Sequence, residues 1–471
     1  MAVVLLSCAL ALLVGYANKQ RCTGPAFDPQ GRSTSFLERA NADVCYSDVQ
    51  SLWLGRGVDT HVFPYLHGGI TDTGVLTGGA LEYPVLTGLL IWLGALGART
   101  DAGFLLATAL LLAPFGLLTA WMLARLARWR ALVFTATPPL VLYAFQNWEL
   151  PVVATTVAAV WVVTCWRVTL RRRAVGAAVL LALGACLKLY PGAFVLPLAL
   201  LVLTGGQGGV ELPEHLRAAG RRHDVRGALG VVGAAGATVL VVNLPFAVLG
   251  WAGWLASFDF QGRRAVDLST NSIWYWGLRP LVDAASPGGG TNGGPAVGRL
   301  RLLVDVASPA LVLTSFVVAL AIGWRRYRRD GTYPWVAVSA AMLSGFLLLH
   351  KVHSPQYTLW LLPFFVLMRV PWGLVAAYLV SDVATEVGVF RYFDLLARGA
   401  LRAGETALRN PVGASLADQL TAPAVLAGVW GRAALLAVLF LVFLRSTPCR
   451  PGEPPVSARG GEQQPAMAPA S

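Results

Sequence analysis

Long apolar runs alternate with short polar breaks along the whole chain. The runs fall at 2–17, 102–124, 131–146, 150–168, 174–187, 191–204, 227–249, 301–323, 333–350, 356–369, 372–390 and 423–445. A helix needs roughly 20 apolar residues to cross a bilayer, and several of these runs are shorter. The pattern predicts an all-α polytopic membrane protein with about twelve spans and both ends cytoplasmic. The first run ends in Asn18-Lys19 and has no basic residue before it, so it is expected to be an uncleaved span and not a signal peptide. A further run, 85–98, is roughly 14 residues, short for a bilayer. Counting it as a span would put Arg125, Arg128 and Arg130 on the outside. It is expected instead to be an amphipathic helix lying on the outer surface.

Composition agrees with this class: 56% of the 471 residues are hydrophobic and only 13% are charged. The net charge of +13 would suggest nucleic acid in a soluble protein. Here the basic residues sit in clusters between apolar runs: Arg125/Arg128/Arg130, Arg167/Arg171/Arg172/Arg173, Arg217/Arg221/Arg222/Arg226, Arg325/Arg326/Arg328/Arg329, and Arg445 with Arg450. The positive-inside bias explains them, so they carry topology and no chemistry, and no nucleic-acid partner is expected. Residues 1–445 are expected to be one membrane domain, with outer loops at 18–101 and 250–300. The second loop contains a flexible Gly-rich linker at 284–298. Residues 446–471 have the composition of a disordered tail.

The candidate chemistry gathers on one side. Asp48, Glu82, Glu149, Lys188, Tyr190, Asp259, Arg263, Arg264, Asp267, Asn271, His350, Lys351, His353 and Gln356 all map to the outer boundary of the spans. Ionisable groups at membrane depth are costly and tend to face cavities, which points to one polar site there. Loop polarity alone accounts for about half of them. It accounts less well for Glu149, Lys188 and His350, each wedged between apolar runs. No cluster has metal-ligand spacing, since His350 and His353 lack a third ligand. No Gly-rich phosphate loop suggests a nucleotide donor. No cofactor is expected.

The motifs occur in a telling order. Tyr46-Ser47-Asp48, Gly55-Arg56-Gly57, Pro64-Tyr65 and Glu82-Tyr83-Pro84 come first. Lys188-Leu189-Tyr190-Pro191 follows, then His353-Ser354-Pro355-Gln356-Tyr357 with Trp360 and Pro363. This series resembles the C-type (GT-C) membrane glycosyltransferases, most closely glycosyltransferase family 87, the polyprenol-phosphate-mannose-dependent α-mannosyltransferases of actinobacteria. The resemblance implies a mannosyl phosphate on a polyprenol as donor and an envelope glycolipid or glycan as acceptor. It also implies an inverting transfer at the outer face of the cell membrane.

That chemistry needs a carboxylate to take the acceptor hydroxyl's proton. Asp48 matches the family position; Asp43 is the local competitor, and an N-cap is the alternative use for Asp48. The leaving phosphate needs cations. Lys188 is the first candidate, against a lysine that merely snorkels to the interface. Arg263, Arg264, Lys351 and His353 follow. Glu82, Tyr83, Glu149, Tyr190, Asn271 and Gln356 are the candidates for holding sugar or acceptor. The rival class is a transporter or flippase of a lipid-linked precursor, which would place polar groups near the midplane in broken helices.

Of six cysteines, Cys22 and Cys45 share the first polar loop. In an oxidising compartment a bridge between them would close a loop over the approach to Asp48. Thiol labelling of the unreduced protein tests this expectation. A bridged pair stays unlabelled, and ready labelling of both cysteines removes the bridge.

Overall fold

The computed structural model describes residues 1–278, 295–400 and 415–449. Helices account for most of them: α1 (Ala2–Gln20), α2 (Phe36–Ala42), α3 (Asp48–Gly55), α4 (Val85–Ala95), α5 (Asp101–Ala127), α6 (Pro138–Tyr143), α7 (Glu149–Cys165) and α8 (Leu170–Ala185). The second half adds α9 (Val195–Leu203), α10 (Val225–Leu249), α11 (Trp251–Arg263), α12 (Pro295–Asp330), α13 (Trp335–Leu349), α14 (Thr358–Leu367), α15 (Trp372–Ala397) and α16 (Leu416–Arg445). Two short strands, β1 (Gly69–Ile70) and β2 (Leu76–Thr77), form an antiparallel hairpin ahead of α4. Most of the Gly-rich linker and all but the first four residues of the expected tail lie outside the described residues.

Among the described residues, 7 helical stretches are long and apolar enough to cross a membrane: Ala2–Gln20, Asp101–Thr135, Tyr190–Gly209, Val225–Leu249, Arg301–Asp330, Trp372–Ala397 and Asp418–Arg445. Each falls on an expected span. The other expected spans correspond to shorter helices. Run 131–146 is cut into Leu132–Thr135 and α6, and runs 150–168, 174–187, 333–350 and 356–369 become α7, α8, α13 and α14. Helix length therefore does not support a count of twelve. Proline stands at several helix starts. Pro138 opens α6, while Pro334 and Pro371 are the residues just before α13 and α15. A proline ring lacks the N–H that a continuing helix would use, but it suits a helix start. Run 85–98 is the helix α4, packed against α5 and α10.

The centre of the bundle is α14. All of its residues from Thr358 to Leu367 are buried, and it touches α5, α6, α7 and α13. A helix apolar on every side belongs in such a position. On one flank α12, α13, α16 and α15 pack in sequence; on the other, α1, α5, α7, α8 and α10 do the same. The helices α10 and α12 bury the least of their surface and expose Leu229, Leu240, Val241, Val248, Val306 and Val317, as lipid-facing helices would.

Arginines expected only to set topology also terminate helices. Arg130 donates to the carbonyls of Phe365, Val366 and Met368 at 3.0, 3.1 and 2.8 Å, which are the orphan acceptors at the end of α14. Arg326 does the same for Leu444 and Ser446 at the end of α16, at 3.0 and 2.8 Å.

Between α15 and α16 lies a fully buried ion pair, Asp382 with Arg432, at 3.4 Å. Tyr143 and Thr358 also donate to Asp382, at 2.8 and 2.7 Å. Arg432 further reaches the Asn271 carbonyl at 3.2 Å. Removing one partner leaves an uncompensated buried charge, which typically costs about 3–5 kcal/mol. Asp382→Leu should therefore lower the thermal unfolding midpoint sharply, and Asp382→Leu with Arg432→Met should recover most of it. An unchanged midpoint in the single variant would remove the pair from the account of stability.

Candidate active site

Asp48 is placed by backbone chemistry before its side chain does anything. Ser47 is the N-cap of α3, and its hydroxyl accepts from the Val49 N–H at 3.2 Å while donating to the Phe145 carbonyl at 2.7 Å. The Asp48 N–H donates to the Gln146 carbonyl at 2.8 Å. The carbonyls of Phe145 and Gln146 are available because the chain is not helical between α6 and α7. Phe145 and Gln146 are buried, and buried carbonyls must find partners within the protein. With Ser47 doing the capping, the Asp48 carboxylate is left for other work.

That carboxylate accepts from Tyr46 Oη at 2.8 Å on one oxygen. On the other it accepts from Asn147 Nδ2 at 2.6 Å and Gln356 Nε2 at 3.4 Å. A carboxylate has about four lone-pair sites, so room remains for an incoming hydroxyl. The residue is partly exposed. Tyr46 is held by stacking on Phe390, with centroids 5.3 Å apart. Burial, reinforced by the Asp48 charge, raises the Tyr46 phenol well above its ordinary pKa, so it remains a donor. Tyr83 is raised in the same way, and its hydroxyl accepts from Asn147 Nδ2 at 2.9 Å.

A second cluster adjoins the first through Tyr83. Lys188 Nζ lies 4.6 Å from the centre of the Tyr83 ring and 3.1 Å from Glu149 Oε1. The indole of Trp360 donates to the other Glu149 oxygen at 2.6 Å. Trp360 is stacked between Tyr357 and Tyr190, at 4.0 and 4.3 Å. Three helix breaks thus converge here: 144–148, 186–189 and 350–357. The resulting surface has one accessible carboxylate, one cation and a set of aromatic and amide groups, which suits deprotonation of a hydroxyl beside an anionic leaving group.

The expected site residues divide. Asp48, Tyr83, Glu149, Lys188 and Gln356 come together, with Tyr190 behind Trp360. Lys188 is not the solitary lysine that the sequence suggested: Glu149, the first residue of α7, balances its charge. Glu82 forms a two-bond ion pair with Arg56, at 2.7 and 3.1 Å. Arg263 pairs with Asp259 at 2.7 Å and Lys351 with Asp305 at 2.9 Å, and neither touches the Asp48 cluster. Arg264 acts electrostatically on His350 and Tyr357. Asp267 caps a turn by accepting from the Ser269 N–H at 2.8 Å. His353 is buried and its backbone N–H donates to the Thr270 carbonyl at 2.7 Å. Burial, and then Arg432, hold its ring well below the ordinary imidazole pKa, so it is a neutral donor or acceptor. Asn271, in the left-handed region at φ 51°, presents its carbonyl to Arg432. Asp43 is exposed at the end of α2.

The loop carrying Asp48 is fastened to α1. Cys22 and Cys45 form a disulfide with Cα atoms 5.8 Å apart, packed with Phe36 and Ala40. Among the described residues, no group of three or more His, Cys, Asp or Glu is placed to hold a metal ion.

Sequence reasoning missed the partners of Asp48. Asn147 was visible only as part of the polar break Gln146-Asn147-Trp148-Glu149, and Tyr46 only as a motif letter. Nothing in the sequence pairs them with residue 48.

A search of curated proteins and a search of solved structures gave no match. The family model of glycosyltransferase family 87 matches residues 81–351, which contain Tyr83, Asn147, Glu149, Lys188 and Tyr190 but neither Asp48 nor Gln356. That match covers more than half of a helical chain with membrane-length helices, and the chain belongs to glycosyltransferase family 87.

Proposed function

We propose that the protein transfers a hexose, mannose by the resemblance of its motifs, from a polyprenyl phosphate to a hydroxyl of an envelope glycolipid or glycan. Asp48 is the general base on this reading. The supporting observation is the Asp48 carboxylate itself: it is partly exposed, relieved of capping by Ser47, and oriented by Tyr46, Asn147 and Gln356. The site faces the outside of the cell membrane, in keeping with the arginine clusters between the spans.

The lipid-linked donor approaches laterally. The acceptor hydroxyl attacks the anomeric carbon as Asp48 takes its proton. The bond from that carbon to the phosphate oxygen breaks, and the electron pair leaves with the polyprenyl phosphate. One new C–O bond replaces one old one, with inversion from β to α. The departing phosphate gains negative charge, and Lys188, which adjoins the base cluster through the Tyr83 ring, is the cation offered to it. Glu149, 3.1 Å away, holds that cation in place. Family membership and the gathering of polar groups at one end support a transferase over a transporter.

Two measurements test this. Asp48→Asn keeps shape and hydrogen bonding but loses the proton acceptor. Transfer of labelled mannose from polyprenyl phosphomannose onto the envelope glycolipid fraction should fall ~10²–10⁴-fold, with donor binding little changed. Asp43→Asn should stay active. The opposite ranking would move the base five residues upstream. For the phosphate contact, Lys188→Ala should lower turnover in folded protein and Lys188→Arg should recover part of it. Full turnover in the alanine variant returns Lys188 to a role in membrane anchoring.

A further inference from the structure

The inner face of α1 ends in a charge. Val4, Cys8, Ala11, Leu12, Gly15 and Lys19 are its buried residues, at spacings of three and four that place them on one stripe. Lys19 therefore points inward, and only 1% of it is exposed. A lysine at the end of a span normally extends toward water. This one instead donates to the Tyr46 carbonyl at 2.7 Å and to Gln146 Oε1 at 3.2 Å.

Those two acceptors are informative. Tyr46 is the donor to one Asp48 oxygen. Gln146 supplies the carbonyl that takes the Asp48 N–H, and its amide donates to Gln356 Oε1 at 3.1 Å. Asn147, the donor to the other Asp48 oxygen, is the next residue. One ammonium thus joins α1 to all three segments that orient the carboxylate. Glu386 on α15, 1% exposed, has no hydrogen-bond partner on either oxygen and acts on Lys19 as the largest opposing charge, ahead of Asp48.

We propose that Lys19 is the positioning residue of the base: its buried ammonium fastens the Tyr46 carbonyl and the Gln146 side chain so that the Asp48 carboxylate is held in its working orientation. The inference rests on the assignment of Asp48 as base. Lys19 touches neither reacting atom. Its contribution is geometric, and displacement of a catalytic group by about 1 Å can cost ~10²-fold in rate.

The test uses the full-length protein in the same transfer assay, comparing Lys19→Met, Asp48→Asn, the two combined, and Lys19→Met with Glu386→Gln. Lys19→Met should lower kcat by ~10²-fold and leave the KM for polyprenyl phosphomannose within about threefold. In the Asp48→Asn background the same change should cost almost nothing more, because the group it positions is already gone. Lys19→Met with Glu386→Gln removes both buried charges, so it should regain the wild-type unfolding midpoint but not the wild-type kcat. This neutral pair also serves if Lys19→Met alone fails to fold. Recovery of kcat together with stability would make Lys19 a charge partner only and overturn the proposal. An equal loss in the presence and absence of the Asp48 carboxylate would also overturn it. Asp48→Asn alone reports on the base assignment: wild-type turnover there defeats that assignment separately, whatever Lys19→Met does.

Discussion

The site depends on one docking event, the first turn of α3 against the unwound chain between α6 and α7. A helix start leaves N–H groups without partners, and a broken helix leaves carbonyls without them. Ser47, Phe145 and Gln146 are buried away from water, so each solves the other's problem. The Ser47 hydroxyl takes the Phe145 carbonyl, and the Asp48 N–H takes that of Gln146. Once these bonds form, Asp48 and Asn147 are brought side by side from positions far apart in sequence, and their side chains meet at 2.6 Å. The disulfide from Cys22 to Cys45 holds the same loop against the end of α1.

A second constraint is charge balance. Several buried charges come with partners: Lys188 with Glu149, Arg432 with Asp382, Arg32 with Asp101 at 3.6 Å. Pairing of this kind limits the penalty of burial and fixes side-chain direction, and leaves few charges free to move. Around Asp48 the direct partners are neutral donors, a phenol and two amides. Among the described residues these three donors orient the carboxylate, and no cation is bonded to it directly.

The helical membrane class was legible in the sequence because it follows from run length and charge placement, which are local. All 7 membrane-length helices fall on runs visible in the chain. Of the shorter runs, 150–168, 174–187, 333–350 and 356–369 each match one helix, but 131–146 is split in two, since whether a proline or a polar break ends a helix depends on what satisfies the freed backbone groups. The site was legible in part. Asp48, Tyr83, Glu149, Lys188 and Gln356 stood out as polar residues in apolar surroundings or as motif members, and they do converge. Arg263 and Lys351 were cation candidates ranked after Lys188, and their acidic partners on α11 and α12 hold them elsewhere. Lys19, Asp382, Glu386 and Arg432 were passed over as span ends or helix interior, although the i to i+4 spacing of Asp382 and Glu386 puts both on one helix face.

The central claim is that the acceptor hydroxyl meets Asp48. The most direct measurement is a structure of the Asp48→Asn protein trapped with polyprenyl phosphomannose and an acceptor glycolipid. The account predicts the attacking hydroxyl within about 2.6–3.2 Å of the side chain at position 48, with the donor phosphate on the Lys188 side. A hydroxyl bound instead at Asp43, Glu82 or Glu149, with position 48 out of reach, would contradict it.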